Sequence, residues 1–330
     1  VSGALWLALA ALVAALFAAS LLIGPAALGL GESLSALLRG GEARDAVALV
    51  MQEVRLPRAL LGAMTGAALG LAGAAMQGFL RNPLAEPGLI GTSASAALGA
   101  VLALQTGVAA THALALPAAA LLGALVSVGL ILAIAGPRGG ALALILAGIA
   151  LSALAGALTS LVLNLSPNPF AASEIVFWML GSLTDRSMLH VAVAAPFLAV
   201  GAAVVLSLGR GLDALTLGED AAAGLGVNLT RLRLSLVLGT AALVGGATAV
   251  AGAIGFVGLV VPHILRPLVG ARPSALLPAS ALGGAAMVLT ADIAVRLIAP
   301  DRDLKLGVLT ALVGAPFFLH LIWRLRRRLA

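Results

Sequence analysis

A chain of 330 residues that is 62% hydrophobic and only 10% charged carries more apolar surface than a soluble domain can bury, which makes it an all-α polytopic membrane protein. Its formal charge of +6 does not signal nucleic-acid binding, because the arginines are scattered between apolar runs and only Arg324 to Arg328 cluster, where a membrane anchor is expected. Cysteine is absent, which excludes disulfides and thiolate ligands.

A helix needs roughly 20 apolar residues to cross a hydrocarbon core of roughly 30 Å. Runs of this kind fall near 4–28, 57–80, 92–107, 114–136, 141–165, 189–208, 232–253, 256–270, 274–298 and 306–323, ten predicted spans in a single domain over residues 1–330. The first reads as a span and not a signal peptide, since it is too long for an h-region and lacks a basic flank. In the second, Pro57 marks a helix start, where a missing N–H costs nothing. Gly62, Gly66 and Gly70 then form a smooth face for a neighbouring helix. Its far end breaks in Asn82-Pro83-Leu84-Ala85-Glu86-Pro87-Gly88, irregular backbone that must face protein or a water-filled passage. The third and eighth spans are short and interrupted, which places them inside the bundle. Long polar connections are expected at 31–54 and 166–188 on one side and at 209–231 on the other.

Ala72-Gly73-Ala74 and Ala251-Gly252-Ala253 stand at equal distances before Pro83 and Pro262, on spans of opposite direction. Inverted repeats with matching broken helices are a transporter habit, although such an echo comes cheaply in an Ala/Gly-rich chain. With both termini cytoplasmic, the inner face holds eleven basic residues against four acids, and the outer face eight against nine. Arg55, Arg58 and Arg296 then lie at outer span ends, where topology alone does not demand them.

The only lysine, Lys305, lies in Asp-Leu-Lys-Leu-Gly, so the chain has no phosphate-binding loop and cannot hydrolyse ATP by that route. His112, His190, His263 and His320 show no metal-ligand spacing, and His263 at a helix break reads as a polar group satisfied there. No buried nucleophile–base set is visible, which argues against an intramembrane enzyme. Glu86, Glu174 and Asp292 are the acids an ion-coupled secondary carrier would use. All three fall near span ends: Glu86 is expected to accept backbone N–H bonds in the broken loop, and Asp292 to pair with Arg296 one helical turn on. The connection 209–231 reads as two short helical stretches, 212–217 and 219–224, in which Leu212, Leu215 and Leu217 form an exposed apolar ridge. Such a pair suits either a protein contact or the lipid headgroups.

Together these stretches resemble the FecCD family, permease subunits of ABC importers for iron chelates, haem and cobalamin. The resemblance runs nearly end to end. It rests on RLPR at 55–58, GAAMQGFLRNPLAEPGLIG at 73–91, LGEDAAAGLG at 217–226, GAIGFVGLVVPHILR at 252–266, ADIAVRL at 291–297 and LGVLTALVGAPFFLHLI at 306–322. It implies an inverted-repeat type II importer permease of the inner membrane, with about ten helices per subunit and a passage at a homodimer interface. Two separate ATPase subunits would use ATP, and the permease itself would hold no cofactor. A periplasmic binding protein would dock on Arg55, Arg58 and Arg296. Coupling helices would lie within 212–228, with Leu212, Leu215, Leu217, Gly218, Glu219 and Asp220 at the ATPase contact. Asn82, Leu84, Ala141, Leu142 and Trp178 would line the gate and path, although Gly139-Gly140-Ala141-Leu142 lacks the small hydroxyl pair of the cobalamin transporter. Phe177 to Leu183 and residues 79–100 look most like the haem-importing branch, with ferric siderophore the next choice.

Overall fold

The computed structural model describes residues 2–24, 29–38, 46–136, 139–166, 169–299 and 304–329, and among them every regular element is helical. The chain begins with α1 (Gly3–Leu22), and two short helices, α2 (Leu30–Leu38) and α3 (Ala46–Leu49), occupy the first expected polar connection. α3 continues through a widened π turn, Val50–Arg55, into α4 (Leu56–Leu80). The expected helix start at Pro57 is thereby corrected, because Pro57 lies within continuous helix. In the wide turn the N–H of Leu56 reaches back five residues to Met51 O, and this local loosening accommodates a ring that has no N–H.

Beyond the break that ends α4, the elements are α5 (Thr92–Gln105), α6 (Ala115–Ala135), α7 (Ala141–Asn164), α8 (Pro169–Met179), α9 (Met188–Ser207), α10 (Gly209–Leu215), α11 (Glu219–Gly224), α12 (Leu229–Ala251), α13 (Val257–Leu265), α14 (Pro273–Ile298) and α15 (Leu306–Leu329). Among the described residues, eight helices are long and apolar enough to cross a membrane, counting α3–α4 as one. The short α5 and α13 fill the third and eighth places, so the ten-span plan holds. α8 makes helix of half the connection 166–188, and α15 runs past its expected end at 323. Arg138 and the side chains of Arg326, Arg327 and Arg328, which entered the charge-bias argument, lie outside the described residues.

α4 and α12 form the centre. In each, 78% of the spanning stretch is buried, against 11% for α1 and 22% for α7 and α15, whose outer faces are left open. The glycine face of α4 explains how tightly the centre closes. A Cβ at Gly66 would overlap the carbonyl of Gly284, and one at Gly70 would overlap that of Ser280, both on α14. Apolar tails offer no hydrophobic drive between helices in a membrane, so backbone approach of this kind supplies the packing.

The Ala-Gly-Ala echo does not mark equivalent positions. Gly73 lies inside α4, whereas Gly252, at φ 71°, ends α12. The structural echo is instead a long helix, a left-handed residue and a short helix. It occurs as α4–Arg81–α5, with Arg81 at φ 50°, and as α12–Gly252–α13.

Candidate functional site

At one end of the bundle Arg58 and Arg296 converge on Asp292, and Arg55 joins them at the end of α1. Arg58 donates from Nε at 2.9 Å and approaches with Nη2 at 2.8 Å to Asp292 Oδ1. Arg296 pairs with Asp292 Oδ2 at 2.8 Å, the expected one-turn partner. Arg296 also donates to Ser20 O at 2.8 Å and Ser20 Oγ at 2.7 Å, and Arg55 donates to Leu21 O and Leu22 O, both at 2.9 Å. These carbonyls belong to the last turn of α1, where no helical N–H remains for them and the helix dipole is negative. Two guanidiniums from two other helices therefore cap α1, which is otherwise thinly packed. Gly24 leaves the room, since a Cβ there would come 2.9 Å from the Arg55 guanidinium. The three arginines expected to face a partner are thus brought together with internal partners. Arg55 is 4% exposed, and the side chains of Arg296 and Arg58 are 7% and 16% exposed.

The two helix breaks lock into each other. Arg81 ends α4, and Asn82 Oδ1 accepts the N–H of Leu84 at 2.9 Å, a local turn that directs the chain back towards the bundle. Glu86 Oε1 then accepts the N–H of Phe256 at 2.8 Å. The acid does bind backbone, as expected, but the backbone of the second break and not of its own. Phe256 stands at the start of α13, where a free N–H and a positive helix end suit a carboxylate. Gln77 adds a second link: its Oε1 accepts from Arg266 Nη2 at 2.7 Å, and its Nε2 faces Leu259 O at 3.3 Å. Arg186 closes the far end of α12 by donating to Val250 O at 2.6 Å. Burial lowers the pKa of this guanidinium, and Asp185 opposes the shift. Sequence reasoning missed Gln77, Arg186 and Arg266. Only Gln77 carried a signal, as a lone amide in a charge-free span.

A cavity of about 580 Å³ opens beside the second break, lined by Met179, Leu180, Gly255, Phe256, Val308 and Leu312. Its neighbour Trp178 packs instead on alanines of α5, α6 and α12. His263 stacks edge-on against Phe317, with ring centres 5.7 Å apart. Leu84 rests half-buried against Leu259 and Val260, whereas Leu142, at the start of α7, is 69% exposed and Ala141 is half-buried.

The α10–α11 connection departs from an exposed leucine ridge. Leu212 and Leu215 are 0% and 2% exposed, because α10 lies flat on α4 and α14 and turns both into the core. Asp213 Oδ1 caps the start of α14 by accepting the N–H of Ser274 at 2.9 Å. The outward residues include Leu217, Asp220, Ala221 and Leu225, with Gly218 at φ 108° turning the chain between the helices. Glu219 pairs with Arg233 at 2.9 Å.

The profile of the FecCD transport family matches residues 12–324. The hemin transport system permease HmuU of Yersinia pestis is 40% identical over 288 residues, 86% of each chain. The ferric enterobactin permease FepD of Escherichia coli is 40% identical over 316 residues, 94% of this chain and 92% of that one. The cobalamin import permease BtuC of Halobacterium salinarum is 39% identical, covering 83% of this chain and 73% of its own. A solved structure described as an inward-facing conformation of a metal-chelate type ABC transporter superposes with a TM-score of 0.85 at 33% identity, over 96% of this chain and 98% of that one.

Proposed function

The chain belongs to the FecCD transport family, and from that premise we propose that it is the inner-membrane permease subunit of a binding-protein-dependent ABC importer that carries haem. The observation that carries the cargo assignment is the haem-like stretch Phe177 to Leu183, which leads into an apolar cavity walled by Met179, Leu180, Phe256 and Leu312. Apolar walls suit a flat, largely apolar macrocycle that must be released and not ligated. The open faces of α7 and α15 are where a second copy would close the passage. ATP would be hydrolysed by two separate subunits seated on Leu217, Gly218 and Asp220, with Leu212, Leu215 and Glu219 holding that foothold from within.

A periplasmic binding protein would dock at the Arg55–Arg58–Arg296 cluster, meeting Arg58 first because it is the most exposed of the three. Because Arg58 and Arg296 already share Asp292, a partner's acid there would add charge complementarity at the rim of an existing pair, which guides encounter and orientation more than it adds affinity. Asn82, Leu84, Ala141, Leu142 and Trp178 would shape the gate.

A ferric siderophore is the second reading, favoured by the 94% coverage of this chain in the match to the enterobactin permease. The test reconstitutes the chain with its ATPase and binding protein in vesicles and compares uptake of hemin with that of ferric enterobactin. Hemin uptake that stops without ATP is the expected result. Enterobactin uptake alone would reassign the cargo, and uptake by this chain without any ATPase would replace the importer with an ion-coupled carrier.

A further inference from the structure

Arg233 stands in the second turn of α12 and is used by nothing described so far except Glu219. Its side chain is 14% exposed and spans two acceptors: Nη2 pairs with Glu219 Oε2 at 2.9 Å, and Nη1 donates to Gly139 O at 3.0 Å. These acceptors come from separate parts of the chain, since Glu219 opens α11 and Gly139 stands just before α7. A guanidinium holds both at a fixed angle, as a planar fork does and an ammonium does not.

The two helices of the foothold are held differently. α10 is fastened to the body through buried Leu212 and Leu215 and through the Asp213 cap on α14. α11 buries only Ala222 and is tied sideways by Glu219 to Arg233. At the other end of the fork Gly139 has no slack, because a Cβ there would overlap the carbonyl of Ala135 at the end of α6. A cavity of about 220 Å³ lies alongside, lined by Leu132, Gly136, Gly139, Leu144, Thr230 and Arg233. Among the described residues lining it, Thr230 and Arg233 alone carry polar side chains.

We propose that Arg233 is a positioning residue that ties the cytoplasmic foothold to the start of α7, so that displacement of α11 is delivered to that helix. The proposal rests on reading α10–α11 as the ATPase contact.

The test uses the permease assembled with its ATPase and binding protein in vesicles, with hemin as cargo and ferric enterobactin as a second probe. Arg233→Ala is expected to lower the cargo moved per ATP hydrolysed by roughly tenfold, the scale of a lost charge-assisted hydrogen bond. Arg233→Lys keeps a charge for Glu219 but not the fork, and is expected to restore assembly without restoring that ratio. An unchanged ratio in Arg233→Ala overturns the tie. Because the chain has no cysteine, Gly140→Cys and Ala221→Cys can carry a spin-label pair, and both positions are exposed. With Arg233 present, the label distance is expected to stay constant between nucleotide-free and ATP-trapped states, and to spread in Arg233→Lys. A distance that changes equally in both backgrounds sinks the proposal even if Arg233→Ala fails to assemble. Uptake that needs no ATPase at all would remove the importer reading itself. ATP-dependent uptake with an unchanged ratio removes only the tie.

Discussion

Four of the described arginines serve helix ends and breaks. Arg55 and Arg296 cap α1, Arg186 caps α12, and Arg266 reaches Gln77 beside the second break. Each places a fixed positive charge where backbone carbonyls or an amide would otherwise lack a partner within the bundle. Asp292 is the centre of the largest such group, 1% exposed and flanked by Arg58 and Arg296. Asp292→Ala leaves two guanidiniums without their carboxylate and is expected to cost about 3–5 kcal/mol, read as a lower unfolding temperature of the solubilised protein. An unchanged temperature would mean that the pair does not hold that end of the bundle. Glu86→Gln keeps an oxygen acceptor for Phe256 N–H and is expected to retain uptake with no new dependence on a pH gradient. Glu86→Ala strands that N–H and is expected to cost about 1–3 kcal/mol. If Glu86→Gln abolished uptake and with it a response to the pH gradient, a proton-coupled role would return.

At the scale of elements, the α4–α14 seam decides how close the central helices come. Gly70→Leu places a side chain against the Ser280 carbonyl and is expected to destabilise by roughly 1–3 kcal/mol or more, whereas Gly129→Ala on α6 meets nothing within 4 Å and should leave stability level or slightly raised. Thermal unfolding of the two variants side by side checks the contrast. This seam was legible in advance, because glycines at every fourth residue lie on one helical face whatever that face meets. The π turn ahead of Pro57 was not, since a proline can open a helix or sit in a loosened one. Here the chain is already helical from Ala46, so the proline falls inside the helix. The Ala-Gly-Ala echo misled for a related reason: a glycine ends a helix only where the chain beyond it turns away.

For the whole molecule, the foothold separates what is presented from what is buried. Leu217→Ser removes an exposed apolar contact and is expected to weaken association with the ATPase while stability stays within about 0.5 kcal/mol. Leu212→Ala empties part of the core and is expected to cost about 2–5 kcal/mol. Co-purification of the ATPase subunit and thermal unfolding, measured on both variants, distinguish the two roles. Equal loss of association at equal stability would show that the foothold is not organised in this way.

From the residues alone came the membrane class, the ten spans, the two short ones and the close-packing glycines of α4. Transfer from water to hydrocarbon is summed locally along the chain, so a window of 20 residues contains nearly all the information needed. Only the tertiary structure decided that Leu212 and Leu215 turn inward, that Asp292 is shared by two arginines, and that Glu86 serves a backbone N–H far along the chain at Phe256. A buried charge must find a partner, but which partner depends on helices brought together from distant parts of the sequence. Local periodicity carries no record of that meeting.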